Sequence, residues 1–310
     1  MTTNASPSPD SDTEDMERPS ADSIMRYIAN PDNSIYVKDS VRVTEKLTSI
    51  IADGKDSLHI ISDFDMTISK YWVNGERNIG SHRVLALSSR VTEEFTEKTT
   101  AIYKKYYPIE ISQTVPYAEK VKAMVEWWST AHEMILELKL TKEELNSMAD
   151  EVDVVLRDGV VELVAMSEEL GIPLLVFSAG LGDVIEAILR KQNLLKSNVE
   201  IVSNKLHFGP DKIADRFMGK IIHTFNKDEA VVEGPYAKMI EGRANVILMG
   251  DSLGDLRMGQ GLKHDTQLTI GFLNHDQELL IEQYSEAFDI VVLDDASMDI
   301  CNLILEAVSK

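Results

Sequence analysis

Three observations on this 310-residue chain predict an α/β fold, a mainly parallel sheet interrupted after its first core strand by helices. Over the C-terminal half, short apolar runs alternate with helical segments, as they do where strands are buried on both faces. Residues 82–157 carry helical periodicity with no strand candidate. Ahead of that stretch a lone apolar run, Leu58 to Ile61, ends in Asp63-Phe64-Asp65-Met66-Thr67, so the helices read as an insert within the core.

The elements follow in order. Residues 1–22 hold six acids against Arg18, with Ser and Pro and almost nothing apolar, and are predicted to be a disordered tail. Val43, Leu47, Ile50 and Ile51 fall at helical spacing, giving a helix from Val41 to Ala52 that ends near Gly54. The first core strand covers residues 57–63, and Asn74-Gly75 predicts a hairpin or tight turn. In the insert, Met124, Trp127, Trp128, Ala131 and Ile135 make one apolar stripe. Thr141 with Glu144 reads as a capping box. Further strands are expected at Pro173–Phe177, Val199–Val202, Val246–Met249, Leu268–Phe272 and Ile290–Leu293. Leu206–Phe208 and Lys220–His223 are expected to pair as a small antiparallel hairpin. The predicted organisation is thus a core of residues 23–81 and 158–310, with a helical cap, 82–157, able to cover the carboxyl ends of the sheet.

Composition narrows the function classes. The 44% apolar and 27% charged content is that of an ordinary globular protein. No apolar run approaches the roughly 18 residues of a membrane span, and the polar N-terminus does not read as a signal peptide. Cys301 is the only cysteine, which precludes an intrachain disulfide and predicts a cytoplasmic location. A formal net charge of −21, of which −5 sits in the tail, argues against nucleic acid or an anionic membrane as the main partner. An acidic protein that binds an anionic substrate needs a metal ion and a few cations to reverse the field locally. A monomer is expected.

The chemistry collects at predicted strand ends, where open α/β sheets place their ligand sites. Asp63 and Asp65, two apart, leave an extended backbone on one side, although an isolated D-x-D is also a common solvated turn. Val176-Phe177-Ser178-Ala179-Gly180 ends another strand, with Gly182-Asp183 opening a helix; a hydroxyl and backbone N–H groups at such a turn can seat a phosphate. Lys227 carries no weight alone. Gly250-Asp251-Ser252-Leu253-Gly254-Asp255 follows a third strand and brings two more carboxylates, a donor set suited to a hard cation such as Mg²⁺.

Taken together, DFDMTIS at 63–69, YYPIE at 106–110, MVEWW at 124–128, VFSAGLGDV at 176–184, FNK at 225–227 and GDSLGDLRM at 250–258 resemble the haloacid dehalogenase superfamily. They are closer still to its type III cytosolic 5′-nucleotidases, and the likeness runs from about residue 30 to the C-terminus. The resemblance implies a Rossmann-like core with a helical cap and hydrolysis of nucleoside 5′-monophosphates such as CMP and UMP. It makes Asp63 the nucleophile and Asp65 the general acid. Mg²⁺ is implied on the Asp63 carboxylate, the Asp65 carbonyl and Asp251, with Asp255 ordering metal waters or Lys227. Ser178, the Ala179 N–H and Lys227 would hold phosphate oxygens. Glu110 would accept a hydrogen bond from the base, with Trp128 and Ala131 beside it. The Trp127-Trp128…Ala131-His132 arrangement resembles the subgroup that also takes 7-methylguanosine monophosphate. A phosphatase or phosphotransferase acting on another small phosphomonoester is the competing reading.

Overall fold

Leu58-His59-Ile60-Ile61-Ser62 is buried at every position, as the middle strand of a parallel sheet must be. The computed structural model describes residues 18–112, 114–227, 235–261 and 263–309. Its strands are β1 (Ile35–Tyr36), β2 (Leu58–Ser62), β3 (Trp72–Val73), β4 (Glu76–Arg77), β5 (Leu174–Leu181), β6 (Val199–Asn204), β7 (Leu206–Phe208), β8 (Ala214–Phe217), β9 (Asn245–Gly250), β10 (Thr266–Leu273) and β11 (Ile290–Leu293). Seven of them form one sheet in the order β1-β11-β10-β9-β2-β5-β6. All neighbours are parallel except the short edge pair of β1 with β11. β2 therefore lies between β5 and β9, and the tips of these three strands carry the predicted chemistry.

The helices are α1 (Ala21–Ala29), α2 (Ser40–Asp53), α3 (Val84–Leu87), α4 (Glu93–Ile111), α5 (Tyr117–Glu137), α6 (Lys142–Glu151), α7 (Val160–Glu169), α8 (Gly182–Lys191), α9 (Pro235–Met239), α10 (Gln277–Ala287) and α11 (Asp299–Val308). Leu58 and Ile60 of β2 face the larger core, while Ile61 faces the other side with Leu175, Val246 and Leu248. α3 to α6 stand between β2 and β5 in the chain. The two crossings to and from them run side by side, with Arg157 N–H on the Ile68 carbonyl and Lys70 N–H on the Val155 carbonyl. α4 and α5 then pack Tyr106, Met124 and Trp128 over Ala179 and Phe225, above the strand tips.

Several expectations hold closely. Asn74 and Gly75 both take positive φ between β3 and β4, and Thr141 and Glu144 cap α6 reciprocally. Three need correction. Residues 1–17 of the predicted tail lie outside the described residues, but Ser20 caps α1, so Ala21 and Asp22 are helical; Ile24 and Ile28 anchor that helix in the core. β7 pairs with Ala214–Phe217, not with Lys220–His223, because the chain reverses tightly at Gly209–Lys212, where Lys212 N–H meets the Gly209 carbonyl. β5 does not end at Phe177. It runs on through a bulge to Leu181, so Ser178-Ala179-Gly180 is irregular strand and no open turn.

Candidate active site

β2 ends at Ser62, and beyond Asp63 the five residues Phe64–Ile68 form one wide turn, closed by Ser69 N–H on the Phe64 carbonyl and kinked at Asp65 and Met66. Met66 sits in that turn at φ +66°, a left-handed conformation costly for a residue with a long side chain. Its cost is met by neighbours that hold the carbonyls. The Arg157 guanidinium, 2% exposed, donates to the carbonyls of Met66, Thr67 and Ala296 at 2.7 Å each. Asn274 donates to the Met66 carbonyl as well, at 3.0 Å, and Asp295 neutralises Arg157 at 3.0 Å. Sequence reasoning missed Arg157: one arginine in the segment between α6 and α7 has no distinguishing signal.

The turn leaves Asp63, from β2, facing Asp251 and Asp255, from the end of β9, with oxygens of all three within 4.8 Å of one another. Lys227 bridges two of them, its Nζ donating at 2.5 Å to Asp63 Oδ1 and at 2.5 Å to Asp255 Oδ1. Burial opposes the lysine's charge, but the Asp255 and Asp63 carboxylates overcome it and hold its pKa above the usual value. Asp255 is saturated, since its other oxygen accepts from Ser252 N–H and Oγ at 2.9 and 2.8 Å. Asp251 differs: among the described residues no donor meets its carboxylate, and only its main-chain carbonyl is bonded, by Tyr284. Burial, then Asp255 and Asp63, push the Asp251 carboxyl well above the ordinary range. Burial likewise lifts Asp63 to about 7, against the pull of Lys227. One lysine cannot balance this many acids. A hard, oxygen-seeking cation fits the surplus, with Asp63 and Asp251 the carboxylates left to hold it.

The Asp65 carboxylate lies against β5, where Gly180 approaches it so closely that an added Cβ would lie 3.2 Å from Asp65 Oδ2 and 3.0 Å from Ser178 Oγ. The Ala179–Gly180 peptide is tightly fixed. Gly180 N–H donates to Ser178 Oγ at 2.9 Å. The Ala179 carbonyl takes Asn204 Nδ2 at 2.8 Å, Trp128 Nε1 at 2.9 Å and the His82 ring at 2.8 Å. Asn204 and His82 went unread in the sequence, where each looks like a solvated polar residue. Ser178 Oγ accepts from Gly180, and its own proton remains available to donate.

α4 and α5 carry the remaining predicted residues. Glu110, in the last turn of α4, accepts from Thr224 Oγ1 at 2.5 Å, three residues before Lys227. Burial raises its pKa, with Thr224 opposing. Trp128 is 7% exposed, edge-on to His82 and bonded to the Ala179 carbonyl, so it docks α5 on β5. Trp127 stacks on Tyr106 with ring centroids 5.8 Å apart. Ala131 is half-buried one turn along α5, and His132 stacks on Phe217. The structure thus brings Asp63, Asp251, Asp255 and Lys227 into one cluster, sets Asp65 and Ser178 around Gly180, and keeps Glu110 beside the Lys227 segment.

Comparisons with known proteins bear on this geometry. Residues 66–309 match the family described as pyrimidine 5′-nucleotidase (UMPH-1). The chain is 38% identical over 275 residues to the 7-methylguanosine phosphate-specific 5′-nucleotidase of Homo sapiens, spanning 88% of this chain and 92% of that one. It is 33% identical over 295 residues to the putative cytosolic 5′-nucleotidase 3 of Caenorhabditis elegans, covering 93% and 78% respectively. Among solved structures, cytosolic 5′-nucleotidase IIIB bound to cytidine superposes with a TM-score of 0.84 at 34% identity, over 94% of this chain and 98% of that one. A HAD-family hydrolase from Salmonella enterica, at 15% identity and a TM-score of 0.53 over 82% of this chain and 73% of that one, shares the fold. Asp63 stands three residues ahead of the matched segment, and the chain belongs to the pyrimidine 5′-nucleotidase family of phosphomonoester hydrolases.

Proposed function

We propose that this protein is a Mg²⁺-dependent 5′-nucleotidase that releases phosphate from CMP, UMP and 7-methylguanosine monophosphate through an aspartyl-phosphate on Asp63. The observation that carries the proposal is the Lys227 ammonium bridging Asp63 and Asp255 at the tips of β2 and β9, with the unpaired Asp251 beside them. Asp63 attacks phosphorus in line, and the bond from phosphorus to the nucleoside 5′-oxygen breaks. Asp65 gives its proton to that oxygen, which would otherwise leave as an alkoxide. It then takes a proton from the water that attacks the aspartyl-phosphate, returning Asp63 and freeing phosphate. Ser178, the Ala179 N–H and Lys227 hold the remaining phosphate oxygens. Asp63, Asp251 and the Asp65 carbonyl would hold Mg²⁺, which would supply positive charge against the phosphoryl oxygens. Asp255 orders Lys227, the one bond to the site that its saturated carboxylate makes.

Specificity is assigned to the helical segment 82–157, acting as a lid on a core of residues 23–81 and 158–310. Glu110 accepts from the exocyclic amine of the base, and the tryptophan pair with Ala131 shapes the pocket for a methylated, cationic guanine. Relatives named for 7-methylguanosine phosphate, and a structural neighbour bound to cytidine, support both substrate classes. The test is kcat/KM on CMP, UMP and 7-methylguanosine monophosphate, with and without Mg²⁺. Turnover absent in Asp63→Asn and base preference altered in Glu110→Ala and Ala131→Ser are expected. Wild-type protein inert on every nucleotide would end the proposal.

A further inference from the structure

Ser81 and His82 stand where the chain leaves the core for the helical insert, and both reach back to the strand tips. Ser81 is completely buried. Its backbone N–H donates to Asp65 Oδ1 at 2.7 Å and its hydroxyl to Asp65 Oδ2 at 2.6 Å. One residue therefore grips both oxygens of the carboxyl and fixes its torsions, which no other described side chain does. The same hydroxyl is pressed against β5, since a Cβ on Gly180 would fall 2.0 Å from Ser81 Oγ. The next residue, His82, bonds the Ala179 carbonyl at 2.8 Å. Two consecutive residues thus tie Asp65 and the Ser178–Gly180 strand into a single unit. The His82 ring also meets α5 at Trp128, whose indole lies edge-on to it at 5.4 Å.

We propose that Ser81 is a positioning residue that clamps the Asp65 carboxyl against Gly180, holding the proton donor at a fixed place relative to the bound phosphate. The inference rests on the reading of Asp65 as proton donor given above. A carboxyl that has lost its hydroxyl anchor keeps only the backbone N–H and can rotate away from the leaving oxygen. Small displacements of this kind cost about 10²-fold in rate. They act on the chemical step and leave ground-state binding alone.

The experiment uses the full chain with Mg²⁺ and whichever monophosphate of the panel above turns over fastest. Ser81→Ala is expected to lower kcat about 10- to 100-fold, with KM within about 3-fold of wild type. Asp65→Asn should lose more, of order 10²- to 10⁴-fold. The double variant Asp65→Asn/Ser81→Ala should be no slower than Asp65→Asn, because the clamp then has no proton donor to hold. A merely structural serine would add its loss on top, so a slower double variant overturns the inference, as does Ser81→Ala at the wild-type kcat. Asp65→Asn at the wild-type rate would refute the proton-donor reading itself, whatever Ser81→Ala does.

Discussion

Two buried polar clusters sit at opposite ends of β2, and they are built on different rules. Near the start of the strand, His59 is wholly buried between Tyr236 and His264. The Tyr236 hydroxyl spends its proton on the Ile60 carbonyl at 3.0 Å, so His59 Nδ1 must be the donor to Tyr236 at 2.8 Å. His59 Nε2 is then an acceptor, and His264 Nε2 donates to it at 3.1 Å. His59 and Tyr236 are thereby satisfied as neutral groups. Past the other end of the strand, Asp63, Asp251 and Asp255 crowd around Lys227 with charge left over. Burial that serves folding closes its accounts locally, whereas burial that serves chemistry leaves an imbalance for a ligand to correct.

The hardest blow to the acidic end is the loss of its cation. Lys227→Met leaves the buried Asp63 and Asp255 facing each other with no cation between them, Asp255 keeping only its bonds from Ser252, and removing one member of such a network costs about 3 kcal/mol or more. Urea unfolding of this variant at pH 7 should show that loss, partly recovered by adding Asp255→Asn. If Lys227→Met unfolds like wild type, the bridge is not holding the cluster together.

The neutral end predicts a pH dependence of definite sign. Burial, then His264 and Arg243, lower His59 from 6.5 to about 3 in the fold. Below pH 6.5 the unfolded chain takes up a proton that the folded chain refuses. Stability from this group is therefore complete above 6.5 and is lost as pH falls toward about 3, at no more than about 1.4 kcal/mol per pH unit. His59→Phe removes that dependence. The gap between wild type and variant should narrow steadily between pH 6.5 and 4.5 in denaturant titrations; a constant gap would mean that His59 is protonated in the fold.

The contrast also explains what could be read in the residues and what could not. The acids were legible because each follows an apolar strand, where a charge has no structural excuse: Ile61 precedes Ser62-Asp63, and Met249 precedes Gly250-Asp251. The parallel core was legible for the same reason, its strands being apolar on both faces. β8 was not, because only Ala214 of Ala-Asp-Arg-Phe is buried and the edge hairpin shows one apolar face. α1 escaped because two residues, Ile24 and Ile28, anchor it beside a charged tail. The supports of the site were invisible. Ser81, His82, Asn204 and Arg157 act through backbone carbonyls and carboxylates brought close by folding, and nothing in their local spacing distinguishes them from solvated polar residues.

The subtlest test concerns sign more than size. Asp251 is pressed by burial and by two like charges, and no described residue offers it a hydrogen bond. In metal-free protein Asp251→Asn relieves that repulsion, so the variant should be more stable than wild type by about 1 kcal/mol, or roughly 2 °C in thermal midpoint. Adding Mg²⁺ should reverse the order, because only the carboxylate gains from the ion and a ligand bound to the folded state alone stabilises it. A structural acid would behave in the opposite way, its replacement lowering the midpoint with or without the metal. Differential scanning calorimetry of the two proteins, each with and without Mg²⁺, reads all four values. Asp251→Asn less stable in the absence of metal would place Asp251 with the self-satisfied groups at the other end of β2 and dissolve the distinction between them.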